Sequence, residues 1–130
     1  MRSLLIILSL TASLHAAPPE SFWRALHHVE SSGRRGGLIL GDQGRSRGPL
    51  QIQRSVWQDA RIGGRYEQVD DLAYSRRVAE AYFKRYVPTA YAKADIDVLA
   101  RTWNGGPRGS SKPQTKAYAA RVKAAMGGVQ

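Results

Sequence analysis

The sequence predicts a mainly helical domain with a small irregular or two-stranded insertion after its first helix, on three observations. Apolar residues recur at three- and four-residue spacing through most of the chain. One stretch, residues 33–53, is too rich in glycine for a helix. There is no internal repeat, low-complexity tract or interior linker, so the helices belong to one domain built on one core.

The elements follow in order. Arg2, an apolar run from Leu4 to Leu10 broken only by Ser9, and small Ala16-Ala17 ahead of Pro18-Pro19 read as a secretory signal peptide over residues 1–17. Residues 18–130 are then the working domain, expected to be secreted or periplasmic, monomeric, and not stably inserted in a membrane once the leader is removed. Residues 20–32 place Phe22, Leu26 and Val29 on one stripe with Trp23 and Glu30 beside it, and Gly33 ends this helix. Leu38-Ile39-Leu40 and Leu50-Gln51-Ile52 are expected as short extended segments flanking a turn at Gly41 to Gly44.

Ser55 and Gln58 have the spacing of a capping box for a helix running to about Ile62, closed by Gly63-Gly64. Asp70 or Asp71 opens a longer helix whose stripe is Leu72, Ser75, Ala79, Tyr82 and Tyr86, ended by Pro88. Asp95 or Asp97 caps a shorter helix through Ile96, Leu99 and Trp103. After a loop from Gly105 to Gln114, a last helix carries Tyr118, Val122 and Ala125 and stops at Gly127-Gly128.

Composition narrows the chemistry. With 20 Lys+Arg against 10 Asp+Glu the net charge is +10, which favours an anionic partner: nucleic acid, a membrane surface or an acidic cell-wall polymer. The absence of cysteine excludes thiol catalysis and thiolate metal sites. His27 and His28 are helix neighbours that diverge, and no second ligand cluster accompanies them, so neither metal nor cofactor is expected. Ser31 and Ser32 lack a His/Asp triad context.

Glu30 is the sharpest residue. A carboxyl at the edge of an apolar helix face is partly desolvated, which disfavours its ionised form and keeps a proton available for general acid catalysis. Downstream stand Gly41-Asp42-Gln43-Gly44, Gly48-Pro49-Leu50-Gln51-Ile52, Trp103-Asn104-Gly105-Gly106 and Tyr118. Together with Glu30-Ser31-Ser32, and in this order, the pieces resemble the lysozyme-like superfamily: goose-type and invertebrate-type lysozymes and the soluble lytic transglycosylases.

The resemblance spans roughly the whole of residues 18–130 and implies a lysozyme-like helical fold. It also implies cleavage of the β-1,4 bond between N-acetylmuramic acid and N-acetylglucosamine in the glycan strands of peptidoglycan. It assigns Glu30 as general acid and Asp42 as the residue that holds the attacking water, with Ser31, Gln51, Trp103, Asn104 and Tyr118 at the substrate site. Asp42 has a second reading as a turn residue, and Gln53 stands where goose-type enzymes carry a further Asp.

A water-holding carboxylate favours hydrolysis. A lytic transglycosylase, which closes a 1,6-anhydro ring with one acid/base, is the alternative within enzymes. A catalytically silent glycan-binding domain is the alternative outside them. Specific nucleic-acid binding is not expected, because the arginines are scattered over most helices rather than gathered on one face.

Overall fold

A computed structural model describes residues 17–128, so all but the last residue of the expected leader lies outside it. Helix α1 (Glu20–Ser31) buries Phe22, Trp23, Ala25 and Leu26. It closes at Ser32, one residue before the expected Gly33, where a left-handed φ of 57° turns the chain. The Ser32 and Gly33 N–H groups donate to the carbonyls of His28 and His27, which satisfies the helix end. This is the element that carries Glu30.

The glycine-rich insertion holds three strands rather than the expected two. β1 (Leu40–Gly41), β2 (Ser46–Arg47) and β3 (Ile52–Gln53) form an antiparallel sheet in that order. Leu40 faces Arg47, and Ser46 faces Gln53. The expected turn at Gly41 to Gly44 therefore delivers the chain to β2, and a second turn at Gly48–Gln51 brings in β3. β2 lacks the apolar or β-branched residues that mark a strand. It is held instead by pairing on both sides and by a two-pronged ion pair from Arg47 to Asp70, at 2.8 and 2.7 Å. Gly48 has φ +83°, and a Cβ there would lie 2.1 Å from the Val69 carbonyl oxygen. Only glycine lets that turn dock so closely.

Helix α2 (Arg54–Ala60) begins immediately after β3. The expected capping box does not form: Gln53 is the N-cap and makes no side-chain cap bond. Because the strand runs directly into the helix, Ser55 falls inside the first turn rather than ahead of it. The helix also stops at Ala60, short of Ile62, as Arg61 takes φ 52°. A 3-10 turn over Tyr66–Asp70 leads to α3 (Leu72–Tyr86), which buries Tyr74, Ser75, Val78, Ala79, Tyr82 and Phe83. Asp71 is its N-cap, accepting the Tyr74 N–H at 2.9 Å.

Pro88 follows the end of α3 and also opens α4 (Pro88–Ala92), at the one helical position where its missing N–H costs nothing. Asp95 caps α5 (Ile96–Gly105) through the Val98 N–H at 3.2 Å. Two 3-10 turns precede α6 (Lys116–Gly128). α1 packs on α6, α6 on α5, and α2 on α3. Phe22, Leu26, Phe83, Leu99 and Val122 are fully buried among them, and Leu50, Ile52 and Val69 pin the insertion to the same core. Among the described residues, no helix is long and apolar enough to cross a membrane.

Candidate active site

Glu30 sits in the last turn of α1, where α6 crosses it. The buried hydroxyl of Tyr118 donates to Glu30 Oε1. Burial pushes the Glu30 carboxyl above its ordinary range. The Tyr118 hydrogen bond and the nearby Arg121 guanidinium pull back against that rise without cancelling it. Tyr118 is itself held well above the ordinary phenol range, first by burial and then by the Glu30 charge. Arg121 lies over its ring at 5.5 Å. A carboxyl whose hold on its proton is strengthened by burial, and which a phenol orients, suits the role of a general acid.

Glu30 opens onto a cleft of about 480 Å³. One wall is the insertion, through Ser46 and Gln51 to Gln53; α2 adds Ser55, Val56 and Asp59. The other wall is the end of α5, from Trp103 to Pro107, and Tyr82 of α3 lies between. Tyr82 and Trp103 meet edge to face at 6.0 Å. Burial raises the Tyr82 hydroxyl to about 12, with Tyr86 and Asp59 adding to the rise.

The far wall is braced from behind. The Lys112 ammonium donates to the Gly105 carbonyl at 2.6 Å, and Thr115 Oγ1 donates to the Gly109 carbonyl at 2.7 Å. Gly105 leaves room for Thr115, whose Cγ2 would lie 2.5 Å from a Cβ at that position.

The structure brings Glu30, Gln51, Trp103 and Asn104 to one cleft, with Tyr118 directly behind Glu30. Gln51 is also a strut: its Nε2 donates to the Gly48 carbonyl at 2.9 Å and the Ile39 carbonyl at 3.4 Å. A Cβ on Gly41 would lie 1.9 Å from Gln51 Oε1, so the glycine makes room for that amide.

Two expected residues are not brought to the cleft. Ser31 is buried, and its hydroxyl donates to the Pro49 carbonyl at 2.7 Å, tying α1 to the Gly48–Gln51 turn instead of facing substrate. Asp42 stands at the exposed hairpin tip with φ 50°, paired with Arg45 at 2.8 Å, and lines no part of the cleft with Glu30. Its turn reading describes this geometry.

Asp59 and Tyr82 are cleft residues that the sequence reasoning missed. Tyr82 lies on the apolar stripe of α3, which hides its place in the cleft. Ser55, Val56 and Asp59 share one face of α2 at three- and four-residue spacing, and that periodicity was the available signal. His27 is buried, with Nε2 2.7 Å from the Arg34 carbonyl, so it closes α1. Among the described residues no three His, Asp or Glu side chains gather as metal ligands.

No protein-family model matches the chain. Over 78 residues it is 38% identical to a lysozyme of Ostrea edulis, covering 58% of this chain and 57% of that protein. Over 103 residues it is 35% identical to lysozyme 1 of Crassostrea virginica, covering 78% of this chain and 56% of that protein. The chain thus spans little more than half the length of these two relatives. It superposes on a chain of the crystal structure of Aeromonas hydrophila PliI in complex with Meretrix lusoria lysozyme. There the TM-score is 0.68 at 27% identity, over 82% of this chain and 89% of that one.

Proposed function

We propose that the chain belongs to the lysozyme-like superfamily and is a muramidase. It hydrolyses the β-1,4 bond between N-acetylmuramic acid and N-acetylglucosamine, after export by its N-terminal leader. The observation that carries this reading is the buried Glu30 carboxyl, held by Tyr118 and facing a sugar-sized cleft. Glu30 protonates the leaving glycosidic oxygen, and positive charge grows on the sugar as the bond breaks. Asn104 offers its side-chain amide to the strand, and Trp103 an aromatic ring.

Asp42 is the carboxylate proposed to hold water. An exposed ion pair such as Asp42–Arg45 is worth about 0–1 kcal/mol. That pair therefore opposes movement of Asp42 toward a bound strand only weakly. The placement of Asp42 outside the cleft favours a second reading, ring closure by the substrate's own 6-hydroxyl with Glu30 as sole acid/base.

Mass spectrometry of digested walls separates the two: reducing ends support hydrolysis, and 1,6-anhydro products as the main species refute it. Wall clearing by Glu30→Gln tests the shared core of both readings, and equal clearing by variant and wild type removes the enzyme altogether. The +10 charge should hold the protein on anionic wall polymers. Wall binding is therefore expected to weaken as salt shortens the screening length from about 10 Å at 0.1 M to about 3 Å at 1 M. Salt-indifferent binding contradicts this.

A further inference from the structure

The cleft has a charge opposite to that of the protein. The chain carries 20 Lys+Arg, yet no Lys, Arg or His lines the cleft, whereas two acids do: Glu30 and Asp59. Glu30 is occupied by Tyr118. Asp59, half-buried on α2, has no hydrogen-bond or ion-pair partner among the described residues. Every other described carboxylate except the exposed Glu67 is held by a basic side chain, a hydroxyl or a helix N-cap. An acid left unpaired inside a concavity, on a protein rich in arginine, is free to accept a positive charge from outside.

Its surroundings fit that charge. Asp59 acts electrostatically on the Tyr82 hydroxyl, and Tyr82 packs edge to face on Trp103, so a carboxylate and two aromatic rings share one region of the cleft. An unpaired carboxylate in a cleft without basic side chains is a receptor for an ammonium group, through a charge-assisted hydrogen bond.

We propose that Asp59 forms an ammonium subsite, which takes a protonated primary amine of the bound wall strand and makes this protein tolerant of, or selective for, amine-bearing glycan. Such an amine has two chemical sources: an N-deacetylated amino sugar, or the side-chain amine of a diamino acid in a stem peptide. The inference rests on the muramidase reading for the location of the strand, but not on Glu30 chemistry. Asp59 is a specificity-determining residue here; it takes no proton and breaks no bond.

Binding is measured by calorimetry in the Glu30→Gln background, which removes turnover, with Asp59 intact or changed to Asn or Glu. The probes are glucosamine oligomers, N-acetylglucosamine oligomers of equal length, and acetylated strands bearing stem peptides with free or acetylated side-chain amines. Asp59→Asn is expected to weaken amine-bearing probes about tenfold more than their acetylated counterparts. Asp59→Glu should recover part of that difference, which a merely structural role does not explain.

A selective loss for glucosamine oligomers assigns the amine to the sugar, and a selective loss for peptide-amine strands assigns it to the peptide; either supports the subsite. Equal weakening of all probes, or no change, overturns it while leaving the Glu30 experiment untouched. Conversely, wall clearing that survives Glu30→Gln removes the enzymatic reading without touching the Asp59 comparison. Thermal melts of each variant check folding, and an Asp59→Asn chain that melts as wild type but binds amines equally well also overturns the proposal.

Discussion

Glu30 and Asp42 are two acids of similar intrinsic chemistry, a short stretch of chain apart, in regions built by different forces. Glu30 rides on a helix whose buried face is locked into the core, and a buried phenol aims it. Asp42 rides on the tip of a hairpin of two-residue strands, where its side chain pairs with an exposed arginine. One carboxyl has its proton affinity raised by burial, while the other stands in solvent. The contrast teaches that a helix end can set a proton affinity, whereas a small sheet can only present a group.

The largest test of that contrast is Glu30→Gln. Losing a general acid is expected to lower wall-clearing activity about 10²- to 10⁴-fold. Stability should move the opposite way with pH. Because burial raises the Glu30 pKa in the folded chain, the folded state keeps a proton that the unfolded state releases between the ordinary and the raised value. Unfolding in that window releases a proton, so wild-type stability falls as pH rises through it. Glu30→Gln lacks the titration, and its melting temperature is expected to gain on wild type with increasing pH. Parallel melting curves across pH break the assignment of burial as the cause.

Next in size is Gly48→Ala, which strikes the insertion rather than the helices. The new methyl must avoid the Val69 carbonyl, at 2.1 Å, from a left-handed backbone. Overpacking and the φ penalty together are expected to cost about 3 kcal/mol or more. Denaturant melts check this, and a loss below about 1 kcal/mol would mean that the sheet is not held by that close approach.

The same contrast governs how much was legible in the sequence. Each long helix follows from its stripe, and a local pattern narrows the caps to Asp70 or Asp71 and Asp95 or Asp97, of which Asp71 and Asp95 make the cap bonds. Glu30 and Tyr118 were readable as a pair only through the family resemblance, since nothing local joins the ends of α1 and α6. β2 was not legible: Ser46 and Arg47 owe their extended form to two neighbouring strands and to Asp70, all distant in sequence. The Ser55–Gln58 motif misled for the same reason, because sheet pairing set where α2 begins. Asp59 shares a helix face with Ser55 and Val56, but that spacing does not mark the face as a cleft wall until the insertion and α5 are assembled around it.

Asp42→Asn sharpens the comparison from the hairpin side. If the hairpin presents the water-holding carboxylate, hydrolysis should fall by about 10- to 100-fold, while thermal stability changes by less than about 1 kcal/mol, because the lost Arg45 pair is exposed. Unchanged turnover with reducing-end products would return Asp42 to a turn role.

The smallest expected effects come from the groups that restrain Glu30 from the α6 side. Tyr118→Phe removes the hydrogen bond that favours the ionised carboxylate, so the Glu30 pKa should rise further. A general acid works only while protonated, so activity is lost as pH rises through that pKa, and the alkaline limb of the pH profile should move upward. Arg121→Ala removes a weaker influence of the same sign and should move the limb in the same direction by less. The order matters more than either shift alone. Burial is the dominant influence and Tyr118 the main restraint on it, so removing restraints must extend the active range toward alkali in the sequence Arg121→Ala, then Tyr118→Phe. A limb that moves toward acid in either variant would mean that the phenol and guanidinium hold the proton on Glu30 rather than ease it off. The helix end would then not be what sets its affinity.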